Sequence, residues 1–372
     1  MNTNIFVIGT RAQLIKVAPI ISACEKFELP CILLMTGQHQ ETMQDLIDEF
    51  GVRSPQQFVT TAYERATVFS LIAWLPKAYK GTLQKMKALR ASFGKESLNI
   101  LVHGDTLTAL ISAFCGRRLG LRVIHLESGL TSGKIFDPFP EEIVRRMVFR
   151  MTDIAICPDT VSEAHMRSIS SGIVFNSGGN SIVDAAEVAI KTCAEESGQK
   201  KEAYLLFSIH RFQNIYNKPR LEEIVDLIIK LSTKFGVFFI LHPSTKKRLL
   251  KTGLMSKLIN VKNVNLSDRM GYGDFIRLAY SAECVLTDGG SNQEELAYLG
   301  IPTIVMRDYT ERVDGIDINA IMEGGIVEGV LDYLRNGKYK ELRKDRHSLG
   351  NGSPSENIAN CLKDMRGKGD AA

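Results

Sequence analysis

The chain has 372 residues, of which 44% are hydrophobic, 24% charged and 8% aromatic, and 46 basic against 42 acidic residues leave a net charge of +4. That length exceeds one ordinary core, so two domains of roughly 150–190 residues are expected, and the near-average composition excludes extended disorder and collagen-like or mucin-like structure. The charge balance excludes a protein devoted to coating nucleic acid, but a local cluster of Arg and His is still able to bind an anionic small molecule. Seven scattered cysteines form no CxxC pair, which argues against a zinc ribbon or a disulfide framework and for buried small hydrophobes. No run approaches about 20 apolar residues, and the first residues lack a basic region and a small-residue cleavage site. The expectation is a cytoplasmic protein with no membrane or nucleic-acid partner.

Short apolar runs recur at 5–8, 32–35, 100–102, 123–126 and 154–157, then at 204–207, 237–241, 284–286 and 303–306. Between them lie segments of helical period, such as Leu14, Val17, Ile21 and Cys24, where Pro19 predicts a kink. Near-continuous apolar strands alternating with helices indicate parallel sheets covered on both faces. The pattern weakens over 168–181, a Ser- and Gly-rich stretch read as the interdomain crossing. The expected division is therefore 1–172, 173–355, and a short helix with a polar tail over 356–372. No GxxxxGK[ST] occurs, and Gly9-Thr10-Arg11 stands where a GxGxxG would follow the first strand. Both absences argue against a P-loop enzyme or a dehydrogenase.

Three carboxylates stand out. Asp105 (in VHGDT) and Glu127 (in HLESG) each follow a buried strand, where ligands of open parallel sheets bind. Glu141 follows Pro140, which places it early in a helix. Each has a structural alternative: an N-cap or Asx turn for Asp105, a dipole complement for Glu141, and only a weak one for Glu127. Converging on one cleft, three acids suit proton transfer, because crowding raises carboxyl pKa values. Arg11 and Lys16 stand at the mouth of the first strand, ready to pair with these acids or with a substrate phosphate.

In the second half, Ser208-Ile209-His210-Arg211 ends a strand and offers an imidazole and a guanidinium. Thr287-Asp288-Gly289-Gly290-Ser291 then gives a strand end, a glycine turn and a helix start, a pattern that lets backbone N–H groups approach a phosphate. Glu295 is either a first-turn dipole complement or an acceptor for a ribose diol. Arg307 and Arg312 add charge after the next strand.

Taken in order, IGTRAQLIKVAPI, TGQHQETM, VHGDT, HLESGL, PFPEEIVRR, SIHRFQN, TDGGSNQEE and LGIPTIVMRDYTER resemble the motifs of bacterial non-hydrolysing UDP-N-acetylglucosamine 2-epimerases over most of the chain. The resemblance implies two Rossmann-like doubly wound parallel-sheet domains facing a central cleft, a glycosyltransferase-B-like α/β fold, in a homodimer. It places the catalytic acids on Asp105, Glu127 and Glu141, with Arg11, Lys16 and His210 beside them. UDP contacts fall on Arg11, His210, Gly289, Gly290, Ser291, Glu295, Arg312 and Arg145, and an allosteric substrate site on Gln38 and His39. Four departures stand out: Ala12-Gln13 for Pro-Glu, Gly289-Gly290-Ser291 for Ser-Gly-Gly, Val144 for Asn, and His242-Pro243-Ser244 for His-x-Asn-Pro.

The implied reaction is reversible inversion at C2 of UDP-N-acetylglucosamine through elimination of UDP, with neither metal nor nicotinamide cofactor required. The rivals are a hydrolysing epimerase that releases N-acetylmannosamine, the same epimerisation on a related UDP-2-acetamido sugar, a UDP-sugar glycosyltransferase, and a non-catalytic sensor.

Overall fold

The computed structural model describes residues 2–37, 43–59, 68–94, 97–135, 139–191, 203–309, 314–346 and 352–367, with 68–73, 291, 366 and 367 in backbone only. The chain forms two units, Met1–Ala185 with Leu349–Ala372, and Ala186–Ser348. Among the described residues, no helix is long and apolar enough to cross a membrane.

The first unit holds strands β1 (Thr3–Ile8), β2 (Cys31–Met35), β3 (Gln56–Phe58), β4 (Leu98–His103), β5 (Arg122–Leu126), β6 (Ile154–Cys157) and β7 (Ile173–Asn176). They form one parallel sheet in the order β3-β2-β1-β4-β5-β6-β7. Ile5, Val7, Ile100, Val102 and Val123 pack in its core with Trp74 of the helix Val68–Phe93. Every residue of β1, β2 and β4 is buried, because helices cover the sheet on both faces. Strand order reverses between β1 and β4, the switch point at which such sheets bind ligands beyond their carboxyl ends.

The second unit repeats the plan with β8 (Tyr204–Ser208), β9 (Gly236–Leu241), β10 (Val264–Asp268), β11 (Cys284–Thr287), β12 (Thr303–Val305) and β13 (Ala320–Met322). Their order is β10-β9-β8-β11-β12-β13, all parallel, with the reversal between β8 and β11. Leu205, Phe207, Val237, Phe239, Leu286 and Ile304 form its core. The α/β class with two doubly wound parallel sheets is as the sequence indicates.

Two expectations need correction. The boundary expected at 172/173 falls before β7, which pairs with β6 as the edge of the first sheet, so the Ser/Gly-rich stretch is partly strand. The chain leaves this unit inside the helix Ile182–Lys191 instead. The helix Pro354–Gly367 belongs to the first unit, where it packs on the helix Arg11–Lys26. There it buries Ile358, Ala359 and Leu362, and Asn357 Nδ2 donates to the Ser177 carbonyl at 3.0 Å. The apolar face of that helix is what returns the chain to the first unit. The helix Arg11–Lys26 contains Pro19, and Leu14, Val17, Ile21 and Cys24 are all fully buried, as their spacing predicts. Six of the cysteines are buried, and Cys193 lies outside the described residues.

Candidate active site

At the carboxyl end of β1, Thr10 caps the helix Arg11–Lys26 in a capping box with Gln13. Gln13 Oε1 accepts from the N–H groups of Gly9 at 2.9 Å and Thr10 at 3.3 Å. Its Nε2 donates to the His103 carbonyl and to Thr106 Oγ1, both at 2.8 Å. One buried amide thus ties the end of β1 to the end of β4 at the switch point, and its two donor bonds are ones an ionised Glu is unable to make. Gln13→Leu removes the acceptor for two buried N–H groups, at about 1–3 kcal/mol each, so a stability loss of about 2–6 kcal/mol is expected in urea denaturation. A loss below about 1 kcal/mol would exclude this tie.

Asp105 follows Gly104, whose φ of 64° lies in the left-handed region, as the turn off β4 requires. Asp105 is not the N-cap: Thr106 caps the helix Leu107–Arg118 by accepting from Ala109 N at 3.1 Å. The Asp105 carboxylate instead receives Nη2 of Arg145, whose Nη1 donates to Glu142 Oε2 at 2.6 Å. Glu142 is fully buried and also accepts from Thr131 Oγ1 at 2.6 Å, Ser132 N at 3.3 Å and Arg146 Nε at 2.9 Å. Burial alone pushes the Glu142 carboxyl up, but the Thr131 and Arg146 hydrogen bonds win and hold it below its ordinary value. Glu142 therefore fixes Arg145, and Arg145 grips Asp105. The sequence reading missed Glu142, although its Arg145 and Arg146 at i+3 and i+4 were the available signal.

Glu127 follows β5 with φ 59°, a left-handed backbone that a non-glycine residue adopts only when its surroundings enforce it. Its Oε1 takes Lys16 Nζ at 2.5 Å and Asn180 Nδ2 at 2.6 Å, and His103 Nε2 lies 3.6 Å from Oε2. Burial pushes His103 down to about 4 despite the opposing pull of Glu127, so the ring is neutral near pH 7. Glu141 opens the helix Glu141–Phe149 directly after Pro140, as predicted, and its Oε2 is buried with no hydrogen-bond partner among the described residues.

Asp105 and Glu127 sit at adjacent strand ends, and each pairs with its own cation, Arg145 and Lys16. Arg11 pairs with Asp45 through both terminal nitrogens, at 2.6 and 2.5 Å. Gln38 and His39 lie outside the described residues.

In the second unit, Asp288 leaves β11 fully buried and accepts four hydrogen bonds from three donors. His210 N donates at 2.9 and 3.1 Å to its two oxygens, Arg211 N at 2.9 Å and Asn214 Nδ2 at 2.9 Å, while His210 Nδ1 lies 3.3 Å away. The carboxylate selects the Nδ1–H tautomer and leaves Nε2 of His210 for a ligand. Burial lowers the pKa of His210, Asp288 opposes that, and Arg211, Arg269 and Arg307 lower it further. The carboxyl end of β8 is therefore electropositive, and neither Asn214 nor Arg269 was anticipated from the sequence. A Cβ on Gly289 would stand 3.0 Å from His210 Cε1, so glycine there makes room for the ring. The helix Gly290–Tyr298 starts without a side-chain cap, presenting its backbone N–H groups. Glu295 is buried beyond the first turn of that helix, so the dipole reading falls away. The His242-Pro243-Ser244 departure forms a cap: His242 precedes the helix Pro243–Thr252, its Nδ1 lies 2.8 Å from Ser244 Oγ, and its ring is 5.4 Å from that of His210. Ser291 is described in backbone only, and Arg312 lies outside the described residues.

Strand-end polar clusters at the switch points of two doubly wound sheets mark a ligand-binding α/β protein. Residues 22–363 match the family model described as UDP-N-acetylglucosamine 2-epimerase. The UDP-N-acetylglucosamine 2-epimerase of Methanocaldococcus jannaschii is 30% identical, covering 96% of this chain and 97% of that protein. The Bacillus subtilis protein of the same name is 25% identical, over 96% and 93%. The solved structure of the M. jannaschii UDP-GlcNAc 2-epimerase superposes with a TM-score of 0.77 at 27% identity, covering 98% of this chain and 100% of that one. A Phytolacca americana UGT2 complexed with UDP-2fluoro-glucose and pterostilbene shares the fold, with a TM-score of 0.62 at 13% identity over 98% of this chain and 100% of that one. The chain belongs to the UDP-N-acetylglucosamine 2-epimerase family.

Proposed function

We propose that the protein interconverts UDP-N-acetylglucosamine and UDP-N-acetylmannosamine without net hydrolysis, supplying a precursor for bacterial surface polysaccharide as a cytoplasmic homodimer. Support comes from family membership, and from one observation above all. Two cation-paired carboxylates, Asp105 and Glu127, stand at adjacent strand ends of one sheet. The C2 proton is weakly acidic whereas UDP is a good leaving group, so elimination is the economical route. A carboxylate among Asp105, Glu127 and Glu141 takes the C2 proton while the C1–O bond breaks with its electron pair going to UDP, giving 2-acetamidoglucal. A proton is then delivered to the opposite face of C2, and a diphosphate oxygen re-forms the bond to C1. Inversion needs two acid–base groups on opposite faces, which this set supplies.

Lys16 pairs with Glu127 and Arg145 with Asp105, while Arg11 offers a guanidinium to the departing diphosphate. His210, Arg312 and the backbone N–H groups at Gly289, Gly290 and Ser291 stabilise UDP, and Glu295 accepts from its ribose. Gln38 and His39 serve an allosteric substrate site. The related M. jannaschii structure in complex with UDP-GlcNAc and UDP, 27% identical with a TM-score of 0.73 over 98% of this chain and 100% of that one, supports this choice of ligand.

The test is incubation with UDP-N-acetylglucosamine in deuterated water, followed by proton NMR. Deuterium at C2 in an intact nucleotide sugar is the expected result. Free N-acetylmannosamine with UDP would assign the hydrolysing reaction instead, and transfer only on addition of an acceptor would assign a glycosyltransferase.

A further inference from the structure

Two histidines that the reaction does not use stand behind the two carboxylates. His125, the next-to-last residue of β5, is fully buried, and its Nε2 lies 2.9 Å from the Gly104 carbonyl. A carbonyl oxygen only accepts, so Nε2 carries the proton and Nδ1 is bare. That Nδ1 is buried with no hydrogen-bond partner among the described residues. An unpartnered buried acceptor is destabilising, so a histidine kept here for packing alone would be a poor choice beside leucine or phenylalanine. What the ring supplies is one directed N–H.

Its target matters. The Gly104 carbonyl belongs to the peptide whose nitrogen is that of Asp105, and Gly104 N donates to the Leu126 carbonyl at 3.1 Å. β4 has ended at His103, so no ladder bond is left to hold the next carbonyl, and the His125 side chain takes that part. Gly104 is thereby pinned to β5 through both its N–H and its C=O, which fixes the plane of the Gly104–Asp105 peptide and the direction in which Asp105 leaves it.

The turn at Glu127 is built alike. His165 Nδ1 lies 2.8 Å from the carbonyl of Gly129, whose φ is 91°. Ser128 N donates to the Ile156 carbonyl at 2.8 Å. Phe149 stands between the two imidazoles, with ring centroids 5.6 Å from His125 and 5.8 Å from His165. Burial pushes His125 down to about 4, so it donates without taking up charge near neutral pH.

We propose that His125 is a positioning residue for Asp105: its Nε2–H holds the carbonyl of the left-handed Gly104 and so aims the carboxylate, with His165 holding the Glu127 turn in the same way. This rests on the reaction proposed above. The experiment compares wild type, His125→Leu and His125→Gln in the deuterium-exchange assay, alongside thermal melts and UDP titration calorimetry. His125→Leu is expected to melt cooperatively, to bind UDP within about threefold of wild type, and to lose about 10–100-fold in kcat with little change in KM. His125→Gln keeps a donor and is expected to recover at least about fivefold of that loss. A leucine variant at full rate, or leucine and glutamine variants equally slow, would overturn the proposal.

A second measurement needs no variant. Histidine-selective ¹⁵N NMR of the wild type should show His125 as the Nε2–H tautomer, not titrating between about pH 5.5 and 8. The Nδ1–H tautomer, or titration near the ordinary histidine value, would overturn it even if no variant folds. Absence of exchange in the wild type would refute the reaction, and the tautomer would then decide on His125 by itself.

Discussion

Asp288→Ala is expected to lose both stability and turnover. The carboxylate is fully buried and serves two backbone N–H groups, the Asn214 amide and His210 Nδ1. Removing it leaves at least the two N–H groups of His210 and Arg211 without an acceptor, at about 1–3 kcal/mol each, so a loss of about 2–6 kcal/mol should appear in urea denaturation. His210 also loses the group that selects its tautomer and direction, and misplacement by about 1 Å is worth about 100-fold in rate. Exchange at C2 should therefore fall by about 100-fold or more under conditions where the variant is still folded. A folded variant with wild-type exchange would show that His210 needs no such orientation.

Glu127→Gln separates chemistry from binding. Glutamine keeps the shape and one acceptor oxygen but no longer neutralises Lys16, whose side chain is 9% exposed. Losing a charge-assisted hydrogen bond costs about 1.5–3 kcal/mol, small enough for the variant to fold. A missing acid–base group costs about 10²–10⁴-fold in rate, so C2 exchange should nearly vanish. UDP affinity, measured by calorimetry, should stay within about threefold, because the groups assigned to the diphosphate and ribose lie largely in the second unit. Unchanged exchange would remove Glu127 from the mechanism, and lost UDP binding would recast it as a binding residue.

The strands that the sequence makes visible and those it hides divide by position. All nine apolar runs are interior strands. The four strands that escaped notice, β3, β7, β10 and β13, are the four sheet edges. An interior parallel strand is buried on both faces and reads as a continuous apolar run. An edge strand has a solvent side: Phe58 of β3 is 60% exposed and Ile173 of β7 is 57% exposed, and β10 reads Val-Asn-Leu-Ser-Asp. Such sequences are hard to tell from loop.

The candidate site divides in a similar way. Asp105, Glu127, His210 and the Gly289–Gly290 turn were legible because each begins within two residues of the end of a buried strand, a position with a known ligand-facing meaning. Their partners were not. Asn180 reaches Glu127 from 53 residues away in the chain, Asn214 lies 74 residues from Asp288, and Gln13 lies 90 from His103. No local pattern encodes a contact between segments so far apart.

By itself, the sequence determined the α/β class, the parallel sheets and the strand-end places where chemistry belongs, because periodicity and burial act over a few residues. The order of strands was decided only in three dimensions, since it depends on which crossovers pack. So was the return of the helix Pro354–Gly367 to the first unit, which follows from burying an apolar face against a helix more than 300 residues earlier. The near-neutral charge balance is likewise organised only by the fold. A net charge of +4 says only that acids and bases nearly cancel, whereas the fold pairs Asp105 with Arg145 and Glu127 with Lys16, because a partly desolvated carboxylate gains from a charge-assisted hydrogen bond.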